Sequence, residues 1–216
     1  MNKQQLGRIF VIFGLATLLA SIVDIAIVLI PLHLSDSNWV YLSSQDLADR
    51  SVIPLLGLII ILAGLYLNND QKSRLKLNSE KCLGIFSFIF GLGLILITVF
   101  YTLTLSSIET QVSQSLKQKG ENVKKQIVIS YLQQQGIKPT SEKLAIPKEL
   151  EKYFKEIDKK VAAELKIEKK SLLKKNIKTV LNLILFAFAY LYIGINVFSA
   201  TCTNLKQLNL KNNSTT

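Results

Sequence analysis

Residues 83–105, LGIFSFIFGLGLILITVFYTLTL, carry no charge in 23 positions, and residues 179–202, TVLNLILFAFAYLYIGINVFSATC, carry none in 24. Between them runs a mostly polar stretch, 106–178, that holds 17 lysines. A helix needs roughly 20 apolar residues to cross a hydrocarbon core about 30 Å thick. Both flanking stretches are therefore expected to span a bilayer. Toward the N-terminus, 9–32 is a 24-residue apolar stretch with one charge, Asp24, and 52–67 is uncharged but only 16 residues long. The short one crosses if Ser51 and Asn68 sit at headgroup level or the bilayer thins. Its alternative is a re-entrant or interfacial segment.

Lys3 and Arg8 precede the first stretch as they would a signal peptide. The stretch is too long for such an apolar region, contains Asp24 and shows no small-x-small site before Asp36, so it is expected to remain as a span. The expected fold is an all-α membrane protein, with four transmembrane helices and a long helical hairpin inserted between the third and fourth. Its parts are a three-span membrane region (1–105), a basic helical hairpin module (106–178), the fourth transmembrane helix (179–202) and a polar C-terminal tail (203–216). An apolar share of 49% and a mean hydropathy of +0.32 suit a chain divided between lipid and water.

Small residues mark where the spans are expected to meet. Gly14, Thr17, Ser21 and Asp24 follow steps of three and four, Gly57 and Gly64 lie a heptad apart, and Gly84, Ser87 and Gly91 form one stripe. Helices in lipid gain nothing from the hydrophobic effect by associating, so close approach along such stripes supplies their packing energy. Asp24 is the one acid inside a span. A carboxylate at the bilayer centre costs about 2.5–3.5 kcal/mol on insertion scales, so it is expected to face other helices and be paired or protonated. Asn182 and Asn196, on one face of the fourth span, are the partners the sequence offers for a polar clamp. A proton or ion relay would need further ionisable groups, and no other lies inside a span.

In the module, no proline interrupts 106–135, and Ile108, Val112, Leu116, Val123, Ile127 and Tyr131 follow steps of four and seven. Gly136 to Thr140 breaks that helix. A second is expected from Pro147, with Leu150, Phe154, Ile157, Val161, Leu165 and Leu172 as its stripe. The two stripes are expected to zip as an antiparallel coiled coil turned back at 136–146, with Val123, Ile127, Tyr131, Phe154, Ile157 and Val161 at the seam. Gly120 and Ser115 weaken that seam, and a helix from a protein partner or a second copy would complete it.

Lys166, Lys169, Lys170, Lys174, Lys175 and Lys178 crowd the approach to the last span. Such a cluster suits anionic headgroups, at roughly 1 kcal/mol per basic residue near the surface. Nucleic acid is not expected to be the partner, because the module has no arginine, few aromatics and no reader motif.

Positive-inside reasoning over the short segments sets the orientation. Lys3, Arg8, Lys72, Arg74, Lys76, Lys81, Lys206 and Lys211 share one side, whereas the 33–51 loop has only Arg50 against Asp36, Asp46 and Asp49. The termini are expected to be cytoplasmic and the module outside, although the lysines before the last span pull the other way. Cys82 and Cys202 fall at the terminus-bearing face, and are expected to be reduced thiols if that face is cytoplasmic and able to bridge if it is outside. With no CxxC and a lone His33, neither a metal nor a cofactor is expected. No phosphate-binding loop, dinucleotide fingerprint or paired-carboxylate arrangement appears, and the chain is not expected to be an enzyme.

Trp39, then Asp49-Arg50, then Ile53-Pro54-Leu55-Leu56-Gly57 leading into an apolar helix, resembles the HpsJ-like membrane proteins of cyanobacteria. The resemblance covers residues 9–67 most specifically. It implies a plasma- or thylakoid-membrane protein associated with hormogonium polysaccharide production and secretion, and brings no catalytic residues. The expected function is a scaffold or accessory subunit that anchors a helical docking arm. The alternative is a small transporter or channel-like subunit that uses Asp24.

Overall fold

The computed structural model describes residues 2–68, 74–135 and 150–213, and every regular element among them is helical. The elements are α1 (Lys3–Leu29), α2 (Ser37–Arg50), α3 (Val52–Leu67), α4 (Arg74–Gln134) and α5 (Glu151–Asn213). Several stretches are long and apolar enough to cross a membrane: Lys3–Leu29, Ser37–Leu67, and those within Leu77–Gln134 and Glu151–Thr203. No proline falls inside α4 or α5, and each runs without a break. The expected turn at 136–146 and helix start at Pro147 lie outside the described residues. The chain divides into two compact units, Met1–Thr104 with Lys178–Thr216, and Leu105–Ile177.

Residues 33–51, expected to be a loop, are mostly helix. The carboxylate of Asp36 caps α2 by accepting from the Asn38 N–H at 2.9 Å. One face of α2 is buried through Val40, Tyr41, Ser44, Leu47 and Ala48. Alternation of small polar and apolar residues hides this helix from a hydropathy reading. α2 ends at Ser51 because of Pro54. An unbroken helix would leave the Arg50 carbonyl without its N–H partner four residues on. Starting afresh at Val52 puts Pro54 among the leading positions, whose N–H groups have no helical acceptor anyway. Ser51 stays αR (φ −62°, ψ −17°), so α2 and α3 run on as a 31-residue helical stretch, Ser37–Leu67. The uncharged 16 residues of the second apolar segment are thus preceded by helix that carries Asp46, Asp49 and Arg50.

The first unit is organised by two backbone-to-backbone crossings. In one, a Cβ on Gly14 would stand 2.8 Å from the Gly57 carbonyl oxygen, and one on Gly64 would stand 2.7 Å from that of Gly7. The helices are therefore antiparallel, with glycines opposed at both ends of a seven-residue step. That is the repeat of near-parallel helix axes, and it lets Cα–H groups face carbonyl oxygens at about 0.5–1 kcal/mol each. The other crossing joins α4 to α5. A Cβ on Gly194 would stand 2.8 Å from the Phe88 nitrogen, and one on Gly91 would stand 3.1 Å from the Ala187 carbonyl oxygen. The core between these pairs is built from Ile25, Leu47, Leu58, Leu94, Leu183 and Tyr190.

Gly14→Ala is expected to force α1 and α3 apart and cost about 1–3 kcal/mol. Gly93→Ala, with nothing within 4 Å of its added carbon, is expected to be neutral or to stabilise by up to about 1 kcal/mol. Thermal unfolding in detergent, followed by circular dichroism, separates the two. Equal melting temperatures would mean that the close crossing does not hold the unit together.

Candidate functional site

The antiparallel register of α1 and α3 decides what Asp24 meets. With Gly14 opposite Gly57, the chain beyond Ser21 lies level with the α2–α3 junction, where Arg50 closes the last turn of α2. The Arg50 guanidinium donates to the Asp24 carboxylate, and both side chains are half-exposed to the surroundings of the unit. A cation there also suits the C-terminal end of α2. The partner of Asp24 is therefore Arg50, and the clamp with Asn182 and Asn196 is corrected. Asn196 donates instead to the carbonyl of Tyr192 on its own helix at 2.7 Å, and Asn182 is half-buried. The signal was present as Asp49-Arg50. With 33–51 taken as loop, it had no place beside the first span.

A second ion pair and a row of hydroxyls tie α2 to α4 and α5. Lys178 reaches Asp49 at 3.2 Å. The hydroxyl of fully buried Tyr190 donates to the Ser51 carbonyl at 3.0 Å, where α2 gives way to α3. Ser87 in turn donates to the Tyr190 carbonyl at 2.7 Å, so Ser87 both thins the α4–α5 crossing and hydrogen-bonds across it. Ser21 donates within α1, to Leu18 at 2.8 Å. Nearer the other end of α2, Gln45 donates to the Tyr101 hydroxyl at 3.4 Å, and the Tyr41 and Tyr101 rings stack with centroids 5.5 Å apart. These contacts orient helices.

In the second unit, α4 and α5 pack through Val128, Leu150 and Phe154, with Ile127, Tyr131 and Ile157 against them. Of the expected α4 stripe, Ile108 is buried, Val112, Leu116, Ile127 and Tyr131 are half-buried, and Val123 alone is exposed, at 44%. Gly120 and Val128 are buried and Lys124 half-buried, in steps of four from Leu116. Gly120 does not weaken the seam; a Cβ there would stand 2.8 Å from a Val161 methyl, so the glycine makes room for that residue. Lys124 is only 17% exposed. Its amine bonds Asp158 at 2.6 Å and Glu121 at 3.1 Å, and lies 6.0 Å from the Phe154 ring centroid. The Asp158 hydrogen bond, and then that of Glu121, hold its pKa above the ordinary lysine value. Further along, Lys169 pairs with Glu109 at 2.8 Å. Among the described residues, no group of His, Cys, Asp and Glu is arranged to hold a metal ion.

A family model described as HpsJ-like protein matches residues 5–152. The chain belongs to the HpsJ-like family. The matched region takes in α1 to α4, and so holds the α1–α3 glycine crossing and the Asp24–Arg50 pair of this HpsJ-like protein. Nearly all of α5 lies beyond it, including Lys178 and Tyr190. No curated protein and no solved structure matches the chain.

Two outcomes follow for this HpsJ-like protein. Asp24→Asn and Arg50→Gln are each expected to cost up to about 3 kcal/mol, because either leaves one charge without its partner in or near lipid. The double variant is expected to lose less than the sum. A double-mutant cycle on unfolding in detergent reads the coupling, and a coupling near zero would leave the pair idle.

In the second unit, a lysine with a raised folded-state pKa contributes stability that is whole below the ordinary value and fades as pH climbs through the raised one. Amide protection in 112–135 and 150–165, read as the exchange rate relative to an unstructured chain at the same pH, is therefore expected to fall above pH 10.5, the ordinary lysine value. Asp158→Asn is expected to bring that loss to lower pH and to cost about 0.5–1 kcal/mol. An unchanged exchange profile would show that the seam does not depend on the charge.

Proposed function

We propose that this HpsJ-like protein is a non-enzymatic accessory subunit of a membrane assembly. In this reading, four membrane-spanning helices anchor a helical hairpin, residues 105–177, that docks a protein partner. The observation that carries it is a flank of the second unit that is uncovered among the described residues. There Val123, Ile127, Tyr131, Leu150 and Tyr153 line a groove of about 550 Å³, and Tyr153 is 60% exposed. An uncovered aromatic beside a shallow apolar groove is the usual anchor point of a protein interface.

Sixteen lysines against nine acids in 105–177 favour an acidic partner over a second copy, whose like charge would repel. Membership of the family supports a link to exopolysaccharide production or secretion. The termini are placed in the cytoplasm and the hairpin outside. The lysines before the last span argue for the reverse, and the short loops are given more weight because the rule weakens for segments longer than about 60 residues. The rival reading, a transporter or channel subunit driven by Asp24, finds its carboxylate already engaged by Arg50.

Val123→Asp combined with Tyr153→Ser is expected to abolish crosslinking of one acidic partner to a photoreactive residue at Ile129, with helicity unchanged. Retained crosslinking, or crosslinks only between copies of the chain, would sink the docking reading. A lone cysteine at exposed Ser130, in a chain freed of Cys82 and Cys202, is expected to react with an impermeant thiol reagent on intact cells. Reaction only in inside-out vesicles would place the hairpin in the cytoplasm.

A further inference from the structure

α5 carries a single lipid-type face. Leu181, Leu185, Phe188, Tyr192 and Ile195 are all more than half exposed in the first unit and follow steps of four, three, four and three, one stripe of a helix. α5 continues unbroken toward its N-terminus, and steps of four, three, four and three carry the same stripe back from Leu181 to Ile177, Lys174, Lys170 and Ile167. Ile177 and Ile167 are 52% and 68% exposed, and both lysines are exposed. The other lysines of the cluster are differently placed: Lys166 shares the face but stands roughly 16 Å along the helix from Ile177. Lys169 is occupied by Glu109 and Lys178 by Asp49, and Lys175 points to another face by its spacing.

We infer that Lys170 and Lys174, framed by Ile167 and Ile177, form a binding face for the headgroups of anionic phospholipids. If Ile177 marks the edge of the hydrocarbon, Lys174 stands roughly 4.5 Å beyond it along the helix and Lys170 roughly 10 Å beyond. The headgroup layer is about 5–8 Å deep on each side. Lys174 therefore lies within it, and the side chain of Lys170, one turn beyond, can extend toward it. Phosphate in that layer meets two cations on the side of the helix that faces lipid. The apolar frame favours a lipid over a soluble polyanion, which would have no reason to select a stripe continuous with the span. This inference takes α5 as membrane-crossing and is independent of the docking-arm reading.

The test uses the full chain in vesicles of equimolar phosphatidylcholine and phosphatidylglycerol. Spin-labelled forms of the two lipids report which is enriched at the protein boundary. The wild-type chain is expected to select phosphatidylglycerol, with selectivity falling as salt rises. At roughly 1 kcal/mol per basic residue, Lys170→Gln or Lys174→Gln should each reduce it about fivefold, and the pair about thirtyfold. Lys175→Gln, at the same depth on another face, should leave it unchanged, as should the double replacement by arginine. Equal losses from Lys175→Gln and Lys174→Gln would overturn the face-specific site. So would undiminished selectivity in the double glutamine variant with unchanged helicity. A single-stranded oligonucleotide that binds the detergent-solubilised chain through Lys170 and Lys174, with lipid selectivity unaffected by their loss, would likewise assign them to a soluble polyanion.

Discussion

Backbone contact at glycine is the constraint on which the membrane part of this protein depends. Where Gly7 and Gly14 oppose Gly64 and Gly57, no side chain separates α1 from α3, and a carbonyl oxygen occupies the space of a Cβ. Lipid tails are as apolar as leucine, so burying leucine between helices gains little in a bilayer. Close packing over a long, thin contact is what remains, and it requires antiparallel axes and a small residue at every seventh position. α4 and α5 repeat the solution with Gly84 and Gly91 against Gly194 and Ala187. Once both crossings are set, little freedom is left in the depth at which polar side chains sit.

That depth explains the pairing of charges. The α1–α3 register carries Asp24 to the α2–α3 junction, and the junction exists because Pro54 denies Arg50 its helical hydrogen bond. Arg50 thus has both a side chain at the level of Asp24 and a position at the end of its helix. Tyr190 reaches the same junction from α5 and bonds the Ser51 carbonyl, while Ser87 bonds Tyr190 in turn. A break in one helix is held by an ion pair on one side and a buried hydroxyl on the other. This arrangement reads as architecture, because every group in it is committed to another helix.

The second unit shows the opposite economy. It has a small apolar cluster, Val128, Leu150 and Phe154, with Ile127, Tyr131 and Ile157 against it, and its seam also takes in Gly120 and the half-buried Lys124. Strict steps of four along α4 bring Gly120 and Lys124 inward, because the face that packs against α5 turns gradually around the helix. Lys124 is tolerated there by two carboxylates and by lying near the Phe154 ring. Val123, which a mixed four-and-seven stripe places at the seam, is left on the flank that we assign to a partner.

Read alone, the sequence determines the helical class and the long apolar stretches, since length and composition bear on these directly. It also shows which glycines share a face of one helix. It does not say which helix they meet, because register between distant segments is a property of packing. Gly7, a heptad before Gly14, was legible on the same terms as Gly57 and Gly64, whereas Gly194 has no second glycine on its helix and only its approach to Phe88 marks it. Asp24 was legible as a residue that must be paired or protonated, from the cost of a charge in lipid. The identity of its partner was not, because Arg50 lies 26 residues away on a helix whose mixed polarity reads as loop. Tertiary structure alone decided that α2 is helical and buried, that Arg50 rather than an asparagine answers Asp24, and that Lys124 belongs inside. In each case a long-range contact supplies the free energy that local composition lacks.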